Sequence, residues 1–115
     1  MSECLWSDPS DEDGNEYNRM RAIGVIFGPD VAKKFLENNN LQLLIRSHEV
    51  KKQGFAYQKG GKVLTVFSAT NYGGQMGNKG AYVKMKGKLM EPITFSFDAV
   101  VFKIKLSFFI ETSRC

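Results

Sequence analysis

Residues 54–86 read GFAYQKGGKVLTVFSATNYGGQMGNKGAYVKMK, and this stretch decides the fold class. Gly54–Gln58 and Lys62–Phe67 are short, β-prone runs on either side of Gly60-Gly61. A primed hairpin turn needs positive φ at its centre, so the pair predicts a β-hairpin. Ser68–Gly80 follows with four glycines and two asparagines, too turn-rich for a helix or strand. It predicts a long loop, and long loops inside compact domains are usually functional or mobile. Ala81–Lys86, and beyond it Ile93–Phe97, read as two further strands.

Working outward towards the N-terminus, Leu41–Ile45 is a nearly continuous apolar run and predicts a buried strand. Before it stands a helix. Pro29 suits a first helical position, Asp30 complements the dipole in the first turn, and Val31, Ala32, Phe35 and Leu36 share one face. Asn38-Asn39-Asn40 ends it, because Asn tolerates the left-handed conformation of a helix C-terminus. Residues 21–27 (RAIGVIF) predict a short strand or buried segment. Residues 7–18 (SDPSDEDGNEYN) are acidic and turn-rich, and predict an exposed loop with little regular structure. The sum is an α+β chain with one main helix and mostly antiparallel strands.

At 115 residues and 13.0 kDa the chain fits one domain or part of one. Its 43% hydrophobic and 24% charged content belongs to a globular chain and excludes wholesale disorder. No apolar run approaches the roughly 20 residues that a transmembrane helix needs. The acidic start argues against a secretory signal. Cys4 and Cys115 form neither a metal motif nor a disulfide framework, which predicts a reducing compartment, cytoplasmic or nuclear. The net charge of +4 conceals an asymmetry: seven acids fall within residues 1–30, against only Arg19 and Arg21. The basic remainder has no run interleaved with aromatics, so nucleic acid is not an expected partner.

Three residues carry candidate chemistry. His48 is the only histidine and sits just past the end of a predicted strand, where α/β sheets place ligand sites. It suits a metal ligand or an acid–base group, or a hydrogen-bonded structural histidine. A metal site needs three or more ligands, and no second His or nearby carboxylate cluster accompanies it. Arg21 could aim its planar fork at a phosphate, although spacing alone favours a salt bridge to the acidic loop. Tyr72, inside the glycine-rich loop, is either a ligand contact or an anchor for the loop. Gly77-Asn78-Lys79 lacks the Gly-Lys pair of a nucleotide P-loop.

Taken in order, Leu5-Trp6-Ser7-Asp8-Pro9, Phe27-Gly28-Pro29-Asp30-Val31, Phe35-Leu36, Ile45-Arg46-Ser47-His48-Glu49-Val50-Lys51, Val66-Phe67-Ser68-Ala69, Asn71-Tyr72 and Gln75-Met76-Gly77-Asn78-Lys79-Gly80-Ala81 form a specific pattern. It resembles the C-terminal third of the catalytic domain of the phosphoprotein phosphatase family of Ser/Thr phosphatases, most like the type-5 branch. The resemblance covers about residues 1–100 and leaves 101–115 as a divergent tail. It implies a calcineurin-like metallophosphoesterase β-sandwich and hydrolysis of phosphoserine and phosphothreonine at two divalent metal ions (Mn, Fe or Zn). It also implies phosphoprotein substrates and phosphatase regulators as partners.

The resemblance assigns roles. His48 matches a ligand of one metal ion, and Arg21 the arginine that holds the phosphate oxygens. Tyr72 matches the tyrosine beside the bound phosphate, in a loop (Ser68, Asn71, Tyr72, Gly73, Gly74) that borders the active site and contacts inhibitory toxins. The chain also departs from the family. The GDxHG, GDxxDRG and GNHE motifs, which supply the other ligands, a second arginine and a general acid, are absent. Ala22 replaces the glycine after the phosphate arginine, and Thr70 and Gly73 replace the proline and cysteine of the SAPNYC loop. Gly73 is expected to loosen that loop. The tail VFKIKLSFFIETSRC alternates apolar and basic residues and could form an edge strand or be translated intron. The expected outcome is an incomplete catalytic region, inactive by itself. Its alternatives are a non-catalytic binding or decoy module and a truncated product without function.

Overall fold

The computed structural model describes residues 2–87 and 91–100. The tail and its proposed edge strand lie outside the described residues. In chain order the elements are α1 (Ser2–Trp6), β1 (Asp8–Pro9), β2 (Asn15–Tyr17), β3 (Val25–Phe27), α2 (Pro29–Asn38), β4 (Leu44–Arg46), β5 (Phe55–Tyr57), β6 (Val63–Val66), a 3-10 turn (Tyr72–Gly74), β7 (Gly80–Met85) and β8 (Pro92–Phe97). The strands form three small sheets, ordered β1-β3-β2, β4-β6-β5 and β7-β8. Two pairings are parallel, β1 with β3 and β4 with β6, and the other three are antiparallel.

The hairpin forms where the sequence predicts it. Gly60 and Gly61 both take positive φ, at 87° and 70°, and β5 pairs antiparallel with β6 in the register Ala56 opposite Thr65. β6 is the central strand of its sheet. Val63, Leu64 and Thr65 are consecutive and all buried, so this strand is covered on both faces. With Leu36 they are the largest fully buried side chains, and burying each apolar one stabilises by about 1.5–3 kcal/mol.

Helix α2 runs over Pro29–Asn38 with Pro29 just inside its start. Its end is a Schellman motif: Asn40 takes φ 53°, its N–H donates to the Glu37 carbonyl, and the Leu41 N–H donates to Leu36 O at 2.8 Å. Ala32 and Leu36 are buried, but Phe35 on the same face is half exposed.

Two expectations are corrected. Leu41–Ile45 does not form a buried strand. Leu41 and Ile45 are exposed, and the strand covers only Leu44–Arg46, because among the described residues β4 pairs with β6 on one side and has no strand on the other. Residues 7–18 are not an unstructured loop. Asp8–Pro9 and Asn15–Tyr17 flank β3 on its two edges. Carboxylates tie this segment down: Asp11 accepts the Lys59 N–H at 2.8 Å, and Asp30 of α2 accepts the Gly14 N–H at 2.8 Å. The Gly14 N–H, followed by the N–H of Val31, holds the Asp30 carboxyl below its usual pKa range. This segment also explains Gly28, where any Cβ would fall 2.3 Å from the Glu12 carbonyl oxygen.

The β7-β8 ribbon attaches beside β6 through Ala81 N–H to Phe67 O at 2.9 Å and Ser96 Oγ to Gln53 O at 2.6 Å. Across it, the Tyr82 and Phe95 rings stack at 5.0 Å, the cross-strand contact that pins its register.

Candidate active-site corner

Arg21 and His48 come from distant parts of the chain and meet at one corner. What joins them is Asp8, at the start of β1. The Arg21 guanidinium donates to Asp8 through Nε and through NH2, the latter at 3.2 Å, a two-point grip that fixes the plane of the fork. Its NH2 also donates to the His48 carbonyl at 3.3 Å. Arg46, at the end of β4, donates to Asp8 Oδ1, the oxygen that also accepts from Arg21 NH2, at 2.9 Å and to Ser7 O at 3.0 Å. Asn18, almost fully buried, donates its amide to Asp8 at 2.9 Å. Glu49 completes the cluster by pairing with Arg46 and with Lys51.

Asp8 is therefore the hub that ties β1 to β4 and sets Arg21 against the His48 backbone. Burial works against its charge, but the Arg21 guanidinium, the Asn18 amide and Arg46 together hold its pKa below the ordinary 3.8. The Asp8 hydrogen bond in turn raises the pKa of Arg21.

His48 has φ 88°, a left-handed backbone that costs a non-glycine residue of order 1–3 kcal/mol. The surrounding contacts hold it there. Arg21 grips its carbonyl, the Arg46–Glu49 pair brackets it in sequence, and the Trp6 ring packs edge-on against the imidazole at 4.8 Å. Ala22 also takes a positive φ, 54°, directly after Arg21. Glycine suits such a position without steric cost, which gives a physical reason for the glycine that the family pattern has there.

Tyr72 stands apart from this corner. Among the described residues no hydrogen bond or ring contact links it to Arg21 or His48. Its ring packs edge-on against Phe67 at 5.2 Å while the residue stays exposed, so it anchors the loop and still offers its outer side to solvent. Ser68, Gly73 and Gly74 belong to the same loop, which two asparagines cross-link. Asn78, 5% exposed, accepts the Tyr72 N–H at 2.8 Å and donates to Ala69 O at 2.8 Å. The Asn71 N–H donates to Asn78 O at 2.8 Å, and the Asn71 side chain accepts the Gly77 N–H at 3.0 Å. Gly73 adopts φ 63° inside this closed frame, so the looseness expected of it is offset by the asparagine bonds. Sequence reasoning missed Asp8 and Asn78. Asp8 is one of seven acids near the N-terminus, and its partners lie 13 and 38 residues away.

The described residues do not fit a two-metal site by themselves. No three His, Cys, Asp or Glu side chains among them converge to hold an ion. The one carboxylate drawn to Arg21 is already engaged by two arginines and an amide.

With this geometry in view, the comparisons with known proteins are specific. Serine/threonine-protein phosphatase 5 of Solanum lycopersicum is 49% identical over 100 residues, 87% of this chain and 18% of that one. The Homo sapiens phosphatase 5 is 48% identical over the same share of this chain and 20% of its own. The chain resembles a type-5 Ser/Thr protein phosphatase. A solved Saccharomyces cerevisiae Ser/Thr phosphatase, described as similar to the human type-5 enzyme, superposes with a TM-score of 0.74 at 33% identity, over 85% of this chain and 33% of that chain. The α+β piece with one main helix is thus part of a phosphatase fold. The chain spans about one fifth of the length of these curated relatives. No family model matches it. Among the described residues, no helix is long and apolar enough to cross a membrane.

Proposed function

We propose that this chain is a partial Ser/Thr protein phosphatase catalytic region that carries the phosphate-holding side of the site. The observation behind this is the corner at which Asp8 locks the Arg21 guanidinium beside His48. Arg21 would hold the phosphate oxygens of a phosphoserine or phosphothreonine. With Nε and NH2 held by Asp8 and the His48 carbonyl, its other terminal N–H donors would stabilise the charge that develops on equatorial oxygens during phosphoester hydrolysis. His48 would serve as one ligand of a divalent ion once other ligands are supplied, and Tyr72 would border the bound phosphate from the loop. Residues 1–100 make up this region and 101–115 a divergent tail. Its substrates would be phosphoproteins, met in the cytoplasm or nucleus.

By itself the chain is expected to be inactive, because one histidine cannot hold two ions and activate a water between them. The test is turnover of a phosphate ester by the purified chain in Mn2+. No turnover is expected. Metal-dependent hydrolysis that disappears in His48→Ala would overturn the reading. Binding of phosphatase regulators without turnover, lost in Tyr72→Ala, would favour a docking module instead.

A further inference from the structure

Between Asn18 and Gly24 the chain makes the turn that carries Arg21. Arg19, Met20 and Ala22 are exposed, so the outer part of this turn gains little from packing. Among the described residues the backbone makes one hydrogen bond across it, from the Asn18 N–H to Gly24 O at 3.1 Å. Arg21 is nevertheless held at both ends. Its backbone N–H donates to Asn18 Oδ1 at 3.2 Å, and its guanidinium donates to Asp8. Asn18 Nδ2 in turn donates to Asp8 Oδ2 at 2.9 Å. These bonds close a ring that runs from Asn18 to the Arg21 backbone, out along the Arg21 side chain to Asp8, and back to Asn18.

The chemistry of the ring suits an amide. Its oxygen faces an N–H and its NH2 faces a carboxylate, and Asn18 is 2% exposed, so water cannot stand in for either partner. An aspartate at 18 would keep the acceptor but set a second anion against Asp8. An alanine would lose both bonds. The ring also leaves part of the guanidinium over. Nε and NH2 are engaged by Asp8 and the His48 carbonyl, and among the described residues NH1 makes no hydrogen bond. NH1 carries two N–H groups, donors that phosphate oxygens accept.

We infer that Asn18 is a positioning residue for phosphate: it fixes Arg21 at the backbone and at the guanidinium together, so that NH1 meets an incoming phosphate oxygen in one place. The inference rests on the proposed phosphatase reading and adds a residue that sets how tightly its arginine binds. An arginine fixed in advance loses less rotamer freedom when the anion arrives. Removing Asn18 therefore weakens the binding of phosphate while the charge of Arg21 stays in place.

The test titrates the 15N-labelled chain with inorganic phosphate at constant ionic strength. The readout is the Arg21 Nε–H resonance, assigned by its loss in Arg21→Lys. Phosphate is expected to shift it saturably. Asn18→Ala and Asn18→Asp should each speed the exchange of this proton with water and weaken phosphate binding about tenfold. Gln58→Ala is the structural control. Gln58 is 7% exposed and its amide donates to Ser10 O and Phe27 O, so its loss lowers stability without touching Arg21. It should leave both readouts at their wild-type values. Wild-type exchange and affinity in both Asn18 variants would overturn the inference. So would an equal change in Gln58→Ala, because general loosening would then account for the effect. Failure of both Asn18 variants to fold would overturn it as well, since Asn18 would then serve the fold alone. The two readings fail separately. An Arg21 that binds phosphate equally well without Asn18 overturns only this inference. An Arg21 that Asn18 holds but that never responds to phosphate overturns the phosphatase reading.

Discussion

The corner around Asp8 and the loop around Asn78 solve the same problem with different chemistry. Each holds a candidate site residue, Arg21 in one and Tyr72 in the other. Each does so through a single side chain that satisfies several partners. Asp8 does it with charge: it gathers Arg21, Arg46 and Asn18. Asn78 does it with a neutral amide that binds only backbone groups within its own loop. The corner bridges elements far apart in sequence and so reports on the whole fold. The loop is local and closes on itself. The first is sensitive to pH and to the loss of a countercharge, and the second is not.

The hardest blow to this contrast is Asp8→Ala. It leaves Arg21 and Arg46 without their shared anion while both are mostly buried. The expected loss is about 3 kcal/mol, the low end for a broken buried pair, read as a lower urea midpoint. A loss below about 1 kcal/mol would mean that the cluster behaves as a surface ion pair. Asn78→Ala removes the amide that satisfies the Tyr72 N–H and two carbonyls, and is expected to cost about 2 kcal/mol. Amide exchange should then accelerate at Asn71–Lys79 and stay slow at the Asp8 corner.

Acid sharpens the same comparison. The Asp8 pKa is lower folded than unfolded, so its contribution is complete above the ordinary value of 3.8 and is lost as pH falls through the folded value. Stability should therefore drop below about pH 4, and this limb should flatten in Asp8→Asn. In NMR spectra over that range the Arg21 and His48 amides should move before those of Asn71 and Asn78. The smallest effect is local. Ala22→Gly relieves a left-handed alanine and is expected to raise stability by about 0.5–1 kcal/mol, once the entropy cost of glycine is set against the relief. Unchanged stability would mean that Arg21 and its neighbours absorb the strain.

The parts of the fold that sequence reading reached are those with a periodic or stereochemical signature. Gly60-Gly61 demands its turn, Pro29 and the asparagine run delimit α2, and the apolar β6 run sits at the centre of its sheet. β4 looked like a buried strand by composition, but its burial depends on a neighbour, and a neighbour is a property of topology. The acidic segment hid two strands because their partners, β3 and the Asp30 carboxylate of α2, supply the order that the polar side chains do not advertise. Arg21, His48 and Tyr72 stand out by residue type and position, and the resemblance supplies their specific roles. The groups that hold the first two, Asp8 and Arg46, emerge only when residues 38 apart are brought together.

The central claim is that this chain holds a phosphate-binding corner without a metal site of its own. Electron paramagnetic resonance of Mn2+ tests it directly, because the free ion's signal falls on binding. With one equivalent of the purified chain, the signal should remain that of free Mn2+, in the wild type and in His48→Ala alike. Loss of the signal in the wild type and its return in His48→Ala would contradict the account, because the chain would then hold an ion through His48 unaided.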